Sequence, residues 1–320
     1  MRILLASPID PGTVRLLEQR YDVTTTHKPA PDELEQAIAD RETLILRSGV
    51  DITSGVMDSA GDLRLILRAG SGVDNIDIDH ARRRAIRVVR IPGMSAPPVA
   101  EFTFALLLSA ARKVTHADRL LRQGHWPKPQ LGGPLLAGKT LGVMGAGNIG
   151  SLVGQMGAAW GMTVLGSVAA PSDAVAESLR RRGITLADNE RVLTESDFLC
   201  LHVPLDGDTR HMIGRDELAR MKSGSILVNV ARGGVVDEAA LYDALSSGST
   251  VAAAALDVHE AEGEGTRPRL AELDNVVLTP HIGAMAVDSQ RLIGDRLVQL
   301  LDAHQRGELE TEVREEEHVV

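Results

Sequence analysis

The stretch Lys139–Gly150, K-T-L-G-V-M-G-A-G-N-I-G, combines an apolar strand, a glycine turn and the start of a helix. The apolar run of strand length consists of Leu141, Val143 and Met144. A G-x-G-x-x-G pattern follows it at Gly145, Gly147 and Gly150. Apolar residues then recur at helical spacing, at Ile149, Leu152, Val153 and Met156. This order of elements makes the glycine pattern informative, because the pattern alone is weak.

Glycine has a separate purpose at each of these positions in a nucleotide-binding turn. Gly145 makes the tight turn after the strand, Gly147 lets backbone approach a pyrophosphate, and Gly150 lets helix and strand pack closely. The helix N-terminus offers free N–H groups and a partial positive charge to the phosphates. A glycine-rich turn without a ligand is the alternative, and methyltransferases and hydrolases carry similar loops. The stretch therefore predicts a site for a dinucleotide or a related nucleotide.

The composition is that of an ordinary globular protein. With 320 residues, the chain is long enough for two domains that each have a core. Hydrophobic residues make up 43% and aromatic residues only 2%, so the cores must consist of Ala, Val, Leu and Ile. The 34 basic and 44 acidic residues give a net charge of -10, which argues against a protein that mainly binds nucleic acid.

The single cysteine, Cys200, cannot form an internal disulfide and fits a reducing compartment. The N-terminal segment is too short and too soon interrupted for a signal peptide, and no segment is expected to reach transmembrane length. These features predict a cytoplasmic protein that binds no membrane. The acidic run after Gly307 predicts a solvated, frayed end.

Strand and helix signals alternate along the N-terminal part of the chain. The predicted strands are Arg2–Ala6, Val23–Thr26, Thr43–Arg47, Leu63–Arg68 and Ile86–Arg90. The predicted helices are Pro11–Arg20, Pro31–Asp40, Ser54–Ala60 and Ile78–Arg84. Alternation of this kind indicates a parallel α/β sheet. Because this sheet is complete before Lys139, the glycine turn belongs to a second unit.

The two prolines Pro97 and Pro98 mark the boundary, and Val99–Arg122 predicts one long apolar helix. The strands predicted after it are Thr140–Met144, Met162–Leu165, Ile184–Leu186, Asp197–His202, Ser225–Val230, Val251–Asp257 and Val276–Leu278. Met285–His304 predicts a helix that returns to the first domain. The predicted fold is α/β with two doubly wound parallel sheets. We expect a flavodoxin-like substrate domain of residues 1–98 and 285–320, and a Rossmann nucleotide-binding domain of residues 99–284.

Polar groups follow three of the predicted strands, at the edge where ligands bind in open α/β sheets. They lie in the segments 229–234, 257–262 and 279–283. A 2-hydroxy or 2-keto acid needs a bidentate donor for its carboxylate, which arginine supplies. It also needs an acid–base group near neutral pH, which histidine supplies, and a carboxylate would orient that histidine. Arg232, His281 and a nearby glutamate meet these needs.

Alternatives remain for each of these residues. Arg232 before two glycines also suits a helix cap or a surface ion pair, and His281 also suits a loop histidine with structural bonds. The candidate glutamates, equivalent by composition, are Glu260, Glu262 and Glu264. The rival histidines are His202, His211 and His259, of which His202 is the strongest because it also ends a strand.

Several stretches closely resemble the D-2-hydroxyacid dehydrogenase family. They are G-A-G-N-I-G (145–150), L-H-V-P-L-D-G-D-T-R (201–210), M-K-S-G-S-I-L-V-N-V-A-R-G-G-V-V-D-E-A-A-L (221–241), A-L-D-V-H-E-A-E (255–262) and L-D-N-V-V-L-T-P-H-I-G-A (273–284). The upstream L-R-A-G-S-G-V-D-N-I-D (67–77) resembles the phosphoglycerate-dehydrogenase-like branch. The resemblance extends from about Arg47 to Gly307. It implies the two-domain fold, a homodimer built around the nucleotide domains, and hydride transfer between a nicotinamide cofactor and a small D-2-hydroxy or 2-keto acid.

The resemblance also implies roles for individual residues. Arg232 matches the carboxylate binder and carbonyl polariser, His281 the acid–base group and Glu262 its carboxylate partner. Asp257 matches the residue near the nicotinamide amide. The implied substrate-binding residues are Arg47, Ser71, Gly72, Val73 and Arg232. The implied cofactor-binding residues are Gly145, Gly147, Asn148, Ile149, Gly150, Ser167, Val230, Ala231, Asp257, His281 and Gly283.

The chain departs from the family pattern at several positions. Neither an acid nor an arginine stands near Val168, where the family places its ribose-binding acid, so we expect NAD while Ser167 also suits NADP. Gly263 replaces the proline that usually follows the catalytic glutamate, and His259 replaces the usual aromatic residue. Where the family tends to have asparagines, this chain has Arg90 and Ser95. Arg47-Ser48 resembles the phosphate-side arginine of phosphoglycerate dehydrogenases, but Gly49-Val50 is not its usual continuation.

The acid itself stays open, with 3-phosphoglycerate, hydroxypyruvate and glyoxylate as candidates. The expected partners are a small-molecule substrate and a second copy of the chain, with no nucleic acid and no membrane. An alternative function is a dinucleotide-sensing, protein-binding module that resembles the family's corepressor members. A methyl-transferring or hydrolytic nucleotide fold is a third hypothesis.

Overall fold

The computed structural model describes residues 1–27, 29–248 and 250–320. The chain forms two compact units. Unit 1 consists of Met1–Ser95 and Met285–Val320, and unit 2 consists of Ala96–Ala284. Both are built on parallel sheets with helical connections, as the sequence predicted.

Unit 1 contains a five-stranded sheet in the order β2-β1-β3-β4-β5, which is the flavodoxin-like order. Its strands, all parallel, are β1 (Arg2–Leu5), β2 (Asp22–Thr25), β3 (Thr43–Leu46), β4 (Leu65–Arg68) and β5 (Arg87–Arg90). The helices are α1 (Pro11–Glu18), α2 (Pro31–Ile38), α3 (Ser54–Asp58), α4 (Ile78–Arg83), α12 (Val287–Arg306) and α13 (Leu309–Glu312). Short 3-10 turns lie at Gly93–Ser95 and Glu315–Glu317.

Two apolar clusters cover the two faces of this sheet, because alternate residues of a strand point to opposite sides. Leu4 and Leu44 belong to one cluster, and Ile3 and Ile45 belong to the other. The second cluster also includes residues of α12, namely Ile293, Leu297, Leu300 and Leu301. The C-terminal helix therefore completes the core of the N-terminal sheet.

The C-terminal segment is not a frayed end, and this prediction from its charge was wrong. Glu317 is 2% exposed and forms a bidentate ion pair with Arg296 of α12, with the two nitrogen–oxygen distances at 3.0 and 2.7 Å. His318 forms an antiparallel bridge with Val89 of β5, and the amide of Val88 donates to the carbonyl of Val320. Backbone pairing and a buried ion pair thus hold a segment that looks solvated by composition.

Unit 2 contains a seven-stranded sheet in the order β12-β11-β10-β9-β6-β7-β8, all parallel. Its strands are β6 (Thr140–Met144), β7 (Thr163–Ser167), β8 (Ile184–Leu186), β9 (Phe198–Leu201), β10 (Ser225–Asn229), β11 (Val251–Leu256) and β12 (Val276–Leu278). The chain direction across the sheet reverses between β6 and β9, which are neighbours. This is the Rossmann arrangement, in which ligands bind beyond the carboxyl ends at the reversal.

The helices of unit 2 lie between these strands. They are α5 (Ala96–Ala111), α6 (Val114–Arg122), α7 (Asn148–Ala159), α8 (Asp173–Arg181), α9 (Asn189–Glu195), α10 (Arg215–Arg220) and α11 (Glu238–Ser247). Two further 3-10 turns lie at Lys128–Gln130 and Arg269–Glu272.

The predicted single helix over Val99–Arg122 is interrupted, so that prediction was wrong. Lys113 adopts a left-handed conformation with φ 54°, and its ammonium group donates to the carbonyl of Gln130 at 3.2 Å. A left-handed residue cannot continue a right-handed helix, so α5 ends and α6 begins around it. At the other end, Pro97 and Pro98 lie in the first turn of α5. Backbone N–H groups in a first turn have no partner within the helix, so proline costs no helical hydrogen bond there.

One helical stretch of the described residues, Gly93–Ala111, is long and apolar enough to cross a membrane by length and composition. The sequence analysis expected none. Its most apolar window has a mean hydropathy of 1.3 and is 61% buried within the protein. Val99, Phe104 and Leu107 of α5 pack in the core of unit 2. Burial against a sheet thus accounts for the apolar character of α5.

Candidate active site

The glycine turn connects β6 to α7 as the sequence predicted. β6 ends at Met144, and Gly145 follows with φ 87°, a conformation that favours glycine. The amides of Gly145 and Ala146 both donate to the carbonyl of Ser167 at the end of β7, at 3.1 and 2.7 Å. Gly147 is the N-cap of α7 and no side chain caps this helix, so its first amides are available to a ligand.

The space around the glycines fits a bound dinucleotide. A Cβ on Gly145 would lie 2.7 Å from the backbone carbon of His202, and a Cβ on Gly150 would collide with the carbonyl oxygen of Gly145. A Cβ on Gly147, in contrast, would meet no protein atom within 4 Å. Two glycines are therefore required by the packing of the protein, while Gly147 borders open space.

His202 follows β9, next to the glycine turn. Its amide donates to the carbonyl of Met144, and both ring nitrogens are buried without a hydrogen-bond partner. Burial lowers the pKa of His202 to about 3, so the ring is neutral at physiological pH. A ring with a lowered pKa is a weak general base, which disfavours His202 relative to His281 in this role. Because unpartnered buried polar atoms are costly, the ring also fits a site that a ligand completes.

His281 and Glu262 are joined by a hydrogen bond of 2.9 Å between Nδ1 and Oε2. The other carboxylate oxygen, Oε1, accepts from the amide of His259 at 3.1 Å. Burial raises the pKa of Glu262, but the bond and charge of His281 and the amide of His259 outweigh it, so this pKa lies below its ordinary value. An ionised Glu262 accepts a hydrogen bond from Nδ1–H of His281, and this leaves Nε2 of His281 for a further partner.

The other glutamates and histidines of this region have different partners. Glu260 accepts from Nε2 of His211 at 2.8 Å, and Glu264 is exposed. His259 is bonded through Nε2 to the carbonyl of Thr279 at 3.0 Å. Of the three glutamates that composition left equivalent, the structure brings Glu262 to His281.

The turn that carries His281 is organised by Asp257, which directly follows β11 and is 1% exposed. Its carboxylate accepts from the Thr279 hydroxyl at 2.7 Å and from the amides of Ile282 at 2.9 Å and Gly283 at 2.7 Å. The amide of His281 donates to the carbonyl of Asp257 at 2.7 Å. These bonds hold His281 at φ 55°, a left-handed conformation that a non-glycine residue rarely adopts.

Arg232 lies in the turn after β10. Nη1 of Arg232 donates to the carbonyl of Ala231 at 2.7 Å. The buried side chain of Asn229 brackets this turn, accepting from the amide of Ala231 and donating to the carbonyl of Arg232, each at 3.0 Å. Gly233 is required here, because a Cβ would collide with the carbonyl oxygen of His259. Sequence reasoning missed the organising role of Asn229, although an asparagine that ends an apolar strand is a signal for such a turn.

The loop Ser71–Val73 of unit 1 is held by hydrogen bonds of the Ser71 hydroxyl group. Ser71 Oγ lies 2.6 Å from Ser95 Oγ and donates to the carbonyl of Pro92 at 3.1 Å. Arg90 donates to the carbonyls of Ser71 at 3.3 Å and Glu316 at 3.1 Å. Within the residues that the structure describes, the amides of Gly72 and Val73 donate to no acceptor. They are thus available to bind an anion.

Arg47 follows β3 of the same unit and is partly buried. Its Nη1 approaches the sulfur of Met285 at 2.8 Å, and its Nε is buried without a partner. Burial lowers the pKa of Arg47. The described part of the chain places no carboxylate within ion-pair distance of it. A partly buried cation of this kind fits an anionic or polar ligand.

Among the described residues, no three side chains of His, Cys, Asp or Glu lie close enough together to hold a metal ion. Near the ribose position, Ser167 is 3% exposed and Val168 packs against the core of unit 2. The residues that follow, Ala169 and Ala170, are exposed and uncharged.

Comparisons with known proteins identify the family of this chain. Residues 104–283 match the family model of the D-isomer specific 2-hydroxyacid dehydrogenase, NAD binding domain. Hydroxypyruvate reductase of Thermotoga maritima is 41% identical over 93% of this chain and 96% of its own length. D-3-phosphoglycerate dehydrogenase of Methanocaldococcus jannaschii is 41% identical over 97% of this chain, which spans 58% of that protein.

Solved structures give the same result. D-lactate dehydrogenase from Aquifex aeolicus, complexed with NAD and lactic acid, is similar with a TM-score of 0.85, 29% identity and 97% coverage of both chains. The chain belongs to the D-isomer specific 2-hydroxyacid dehydrogenase family, and it is an oxidoreductase that transfers a hydride between NAD and a small 2-hydroxy or 2-keto acid.

Proposed function

We propose that His281 is the acid–base residue of this reaction, with Glu262 as its partner. The observation that supports this most directly is the 2.9 Å bond between Nδ1 of His281 and Oε2 of Glu262. The bond fixes the tautomer, so Nε2 of a protonated His281 can donate to the keto oxygen of the substrate. Glu262 stabilises the imidazolium that this step requires. A protein-binding module of corepressor type would tolerate the loss of His281, which the variants described below test.

Arg232 binds the carboxylate of the substrate with its fork of N–H groups and polarises the carbonyl. The bound nicotinamide supplies the hydride in reduction and accepts it in oxidation. In the oxidative direction Nε2 of His281 takes the hydroxyl proton. Substrate binding in unit 1 falls to the free amides of Gly72 and Val73, held in place by Ser71.

The cofactor lies along the carboxyl ends of the strands of unit 2. We assign this role to Gly145, Gly147, Asn148, Ile149, Gly150, Ser167, Val230, Ala231, Asp257, His281 and Gly283. The uncapped N-terminus of α7 and the open space at Gly147 support the pyrophosphate position. Unit 2 is thus the nucleotide-binding domain and unit 1 the substrate domain.

The substrate is a keto acid with a polar or anionic group on C3, such as hydroxypyruvate or 3-phosphohydroxypyruvate. Arg47 supports this proposal. It is a partly buried cation whose Nη1 approaches the thioether sulfur of Met285 and whose Nε has no hydrogen-bond partner. A second anionic group or a hydroxyl would satisfy its N–H groups, whereas the methyl group of pyruvate would not.

The experiment follows NADH absorbance with glyoxylate, hydroxypyruvate, pyruvate, phenylpyruvate and 3-phosphohydroxypyruvate. His281→Ala and Arg232→Ala should abolish turnover while NADH still binds, as followed by its fluorescence. Full activity in either variant contradicts the assigned roles. Arg47→Met should lower kcat/KM for 3-phosphohydroxypyruvate about ten- to hundredfold, because a hydrogen bond to a charged group is lost. Glyoxylate, which has no C3, is the internal reference, and an equal loss for both acids contradicts the role of Arg47.

We also propose that the enzyme is a cytoplasmic homodimer that associates through the segment 114–135. This segment exposes several large apolar side chains, namely Val114, Leu121, Trp126 and Leu135. Such side chains are typical of an interface when they lie close together. Light scattering should report a dimer for the wild type and a monomer for the Trp126→Ser, Leu135→Ser variant. A monomeric wild type contradicts the proposal.

A further inference from the structure

His259 contacts Glu262 and the turn that carries His281. It lies in the turn after β11, and its side chain is 11% exposed. Its amide donates to Oε1 of Glu262 at 3.1 Å. Its ring nitrogen Nε2 lies 3.0 Å from the carbonyl oxygen of Thr279, two residues before His281. A carbonyl oxygen only accepts, so Nε2 carries a proton and donates it.

The bond to Thr279 acts on a turn that needs support. His281 is in the left-handed region at φ 55°, which is unfavourable for a residue with a side chain. Asp257 holds the following residues, Ile282 and Gly283, and the Thr279 hydroxyl. The carbonyl of Thr279 is held instead by His259. Without the ring of His259, the carbonyl of Thr279 loses this hydrogen bond, and the backbone that positions the imidazole of His281 is less well fixed.

The other nitrogen of the His259 ring, Nδ1, points towards the carboxylate of Glu238. Nδ1 lies 3.9 Å from Oε1 of Glu238, beyond hydrogen-bond distance, and is buried without a hydrogen-bond partner. Glu238 accepts from the amide of Glu260 at 2.8 Å. Burial foremost, together with the charges of Glu260 and Glu262, raises the pKa of Glu238. The ring is therefore packed between the turn of His281 and a second buried acid, which restricts its orientation.

We propose that His259 is a positioning residue that fixes Glu262 through its backbone amide and the His281 turn through Nε2. An aromatic hydrocarbon ring fills the same space but has no proton to donate to Thr279. The donor, rather than the shape, is what this chain has at the position. The inference rests on the proposed roles of His281 and Glu262.

The test compares His259→Phe, which keeps the ring without the donor, with His259→Gln, whose side-chain amide places an N–H near the position of Nε2. With hydroxypyruvate as the probe, His259→Phe should lower kcat about tenfold or more, since small displacements of catalytic groups are costly. KM and the Kd of NADH should stay within about twofold, because the bonds described for His259 go to Glu262 and Thr279 and not to Arg232 or the glycine turn. His259→Gln should recover most of kcat. A merely structural role would lower the thermal stability of both variants without this split.

Wild-type kcat in His259→Phe overturns the proposal, and so does a His259→Gln variant as slow as His259→Phe. If His259→Phe does not fold, His259→Asn replaces it, since its amide is too short to reach Thr279 and should be slow where His259→Gln is fast. His281→Ala is measured in the same series. Full activity in His281→Ala would refute the proposed function itself, whereas an inactive His281→Ala beside a fast His259→Phe would refute only the role of His259.

Discussion

Replacing Gly147 with alanine separates cofactor binding from folding. Gly147 has φ −80°, and an added Cβ meets no protein atom within 4 Å. It is the N-cap of α7 without a capping side chain, so no existing bond is lost. The change from glycine to alanine at such a position should lower the free energy of unfolding by less than about 1 kcal/mol.

The effect on binding should be larger, because the methyl group projects into the space that the pyrophosphate requires. Inserting a methyl group into a well-packed contact costs about 1–3 kcal/mol, which corresponds to a rise in Kd of roughly ten- to hundredfold. NADH at 100 times the wild-type Kd stabilises the wild type by about 2.7 kcal/mol. At the same concentration the variant should gain about 1.4 kcal/mol or less.

The assay combines NADH fluorescence titration with thermal unfolding, each with and without NADH. Gly61→Ala is the matched control, since a Cβ there also meets nothing within 4 Å and the residue belongs to unit 1. We expect both variants to unfold like the wild type without NADH, and only Gly147→Ala to lose the stabilisation by NADH. Wild-type affinity in Gly147→Ala would refute the placement of the pyrophosphate, and an unstable apoprotein would refute the statement that the space is empty.

Further predictions concern bonds described above. Ser95→Ala removes the 2.6 Å contact with Ser71 and should raise KM for the keto acid about fivefold, from a hydrogen bond of about 1 kcal/mol, without changing the Kd of NADH. Glu317→Gln breaks the buried pair with Arg296 and should lower the free energy of unfolding in urea by about 3 kcal/mol at pH 7. Burial raises the pKa of Glu317, but the hydrogen bond and charge of Arg296 outweigh burial, so this pKa lies below its ordinary value. The stability that the ion pair contributes is therefore present above the ordinary carboxyl pKa and is lost as the pH falls through the lowered pKa. His202→Leu removes two unpartnered buried nitrogens and should raise the melting temperature of the apoprotein while weakening NADH binding.

Each of these has a control. Ser95→Thr keeps a hydroxyl, and a KM as high as that of Ser95→Ala would assign the effect to packing. Glu315→Gln changes an exposed neighbour and should leave the urea midpoint unchanged. A wild type and a Glu317→Gln variant that lose stability in parallel on acidification would contradict the ion-pair argument. A His202→Leu variant that binds NADH normally would show that the ring is not completed by the cofactor.

The fold was predictable wherever a local pattern determines it. Alternating apolar residues separated by helical segments predicted both parallel sheets, and strands such as Thr140–Met144 and Val276–Leu278 have the predicted bounds. Local patterns failed where a distant residue decides. Lys113 ends α5 with support from the carbonyl of Gln130, and Glu317 is buried because Arg296, far away in the sequence, pairs with it. Neither partner is visible in a window of neighbouring residues.

The candidate site shows the same division. Residue types and spacing were enough to propose Arg232 and His281, since both follow strands of a predicted parallel sheet and suit a carboxylate binder and an acid–base group. Composition could not choose among Glu260, Glu262 and Glu264, which lie within a few residues of one another. The family resemblance pointed to Glu262, and the folded turn brings its carboxylate to His281. His202 and His281 both follow strands of the same sheet, and only the folded structure distinguishes the buried ring of His202 from the ring of His281, which is bonded to a carboxylate.

The discontinuity of unit 1 has a consequence for biosynthesis. Unit 2 is a continuous segment with every strand of its sheet, so it can acquire its contacts while the ribosome still holds the C-terminal residues. Unit 1 cannot, because one face of its sheet is covered by residues that are translated only after all of unit 2, namely Ile293, Leu297, Leu300 and Leu301. At about 5–20 residues per second, the N-terminal strands wait roughly 10–40 s for this cover. We expect nascent-chain chaperones to engage the exposed face of β1, β3 and β4 in that interval, until α12 has left the ribosome and packs against that face.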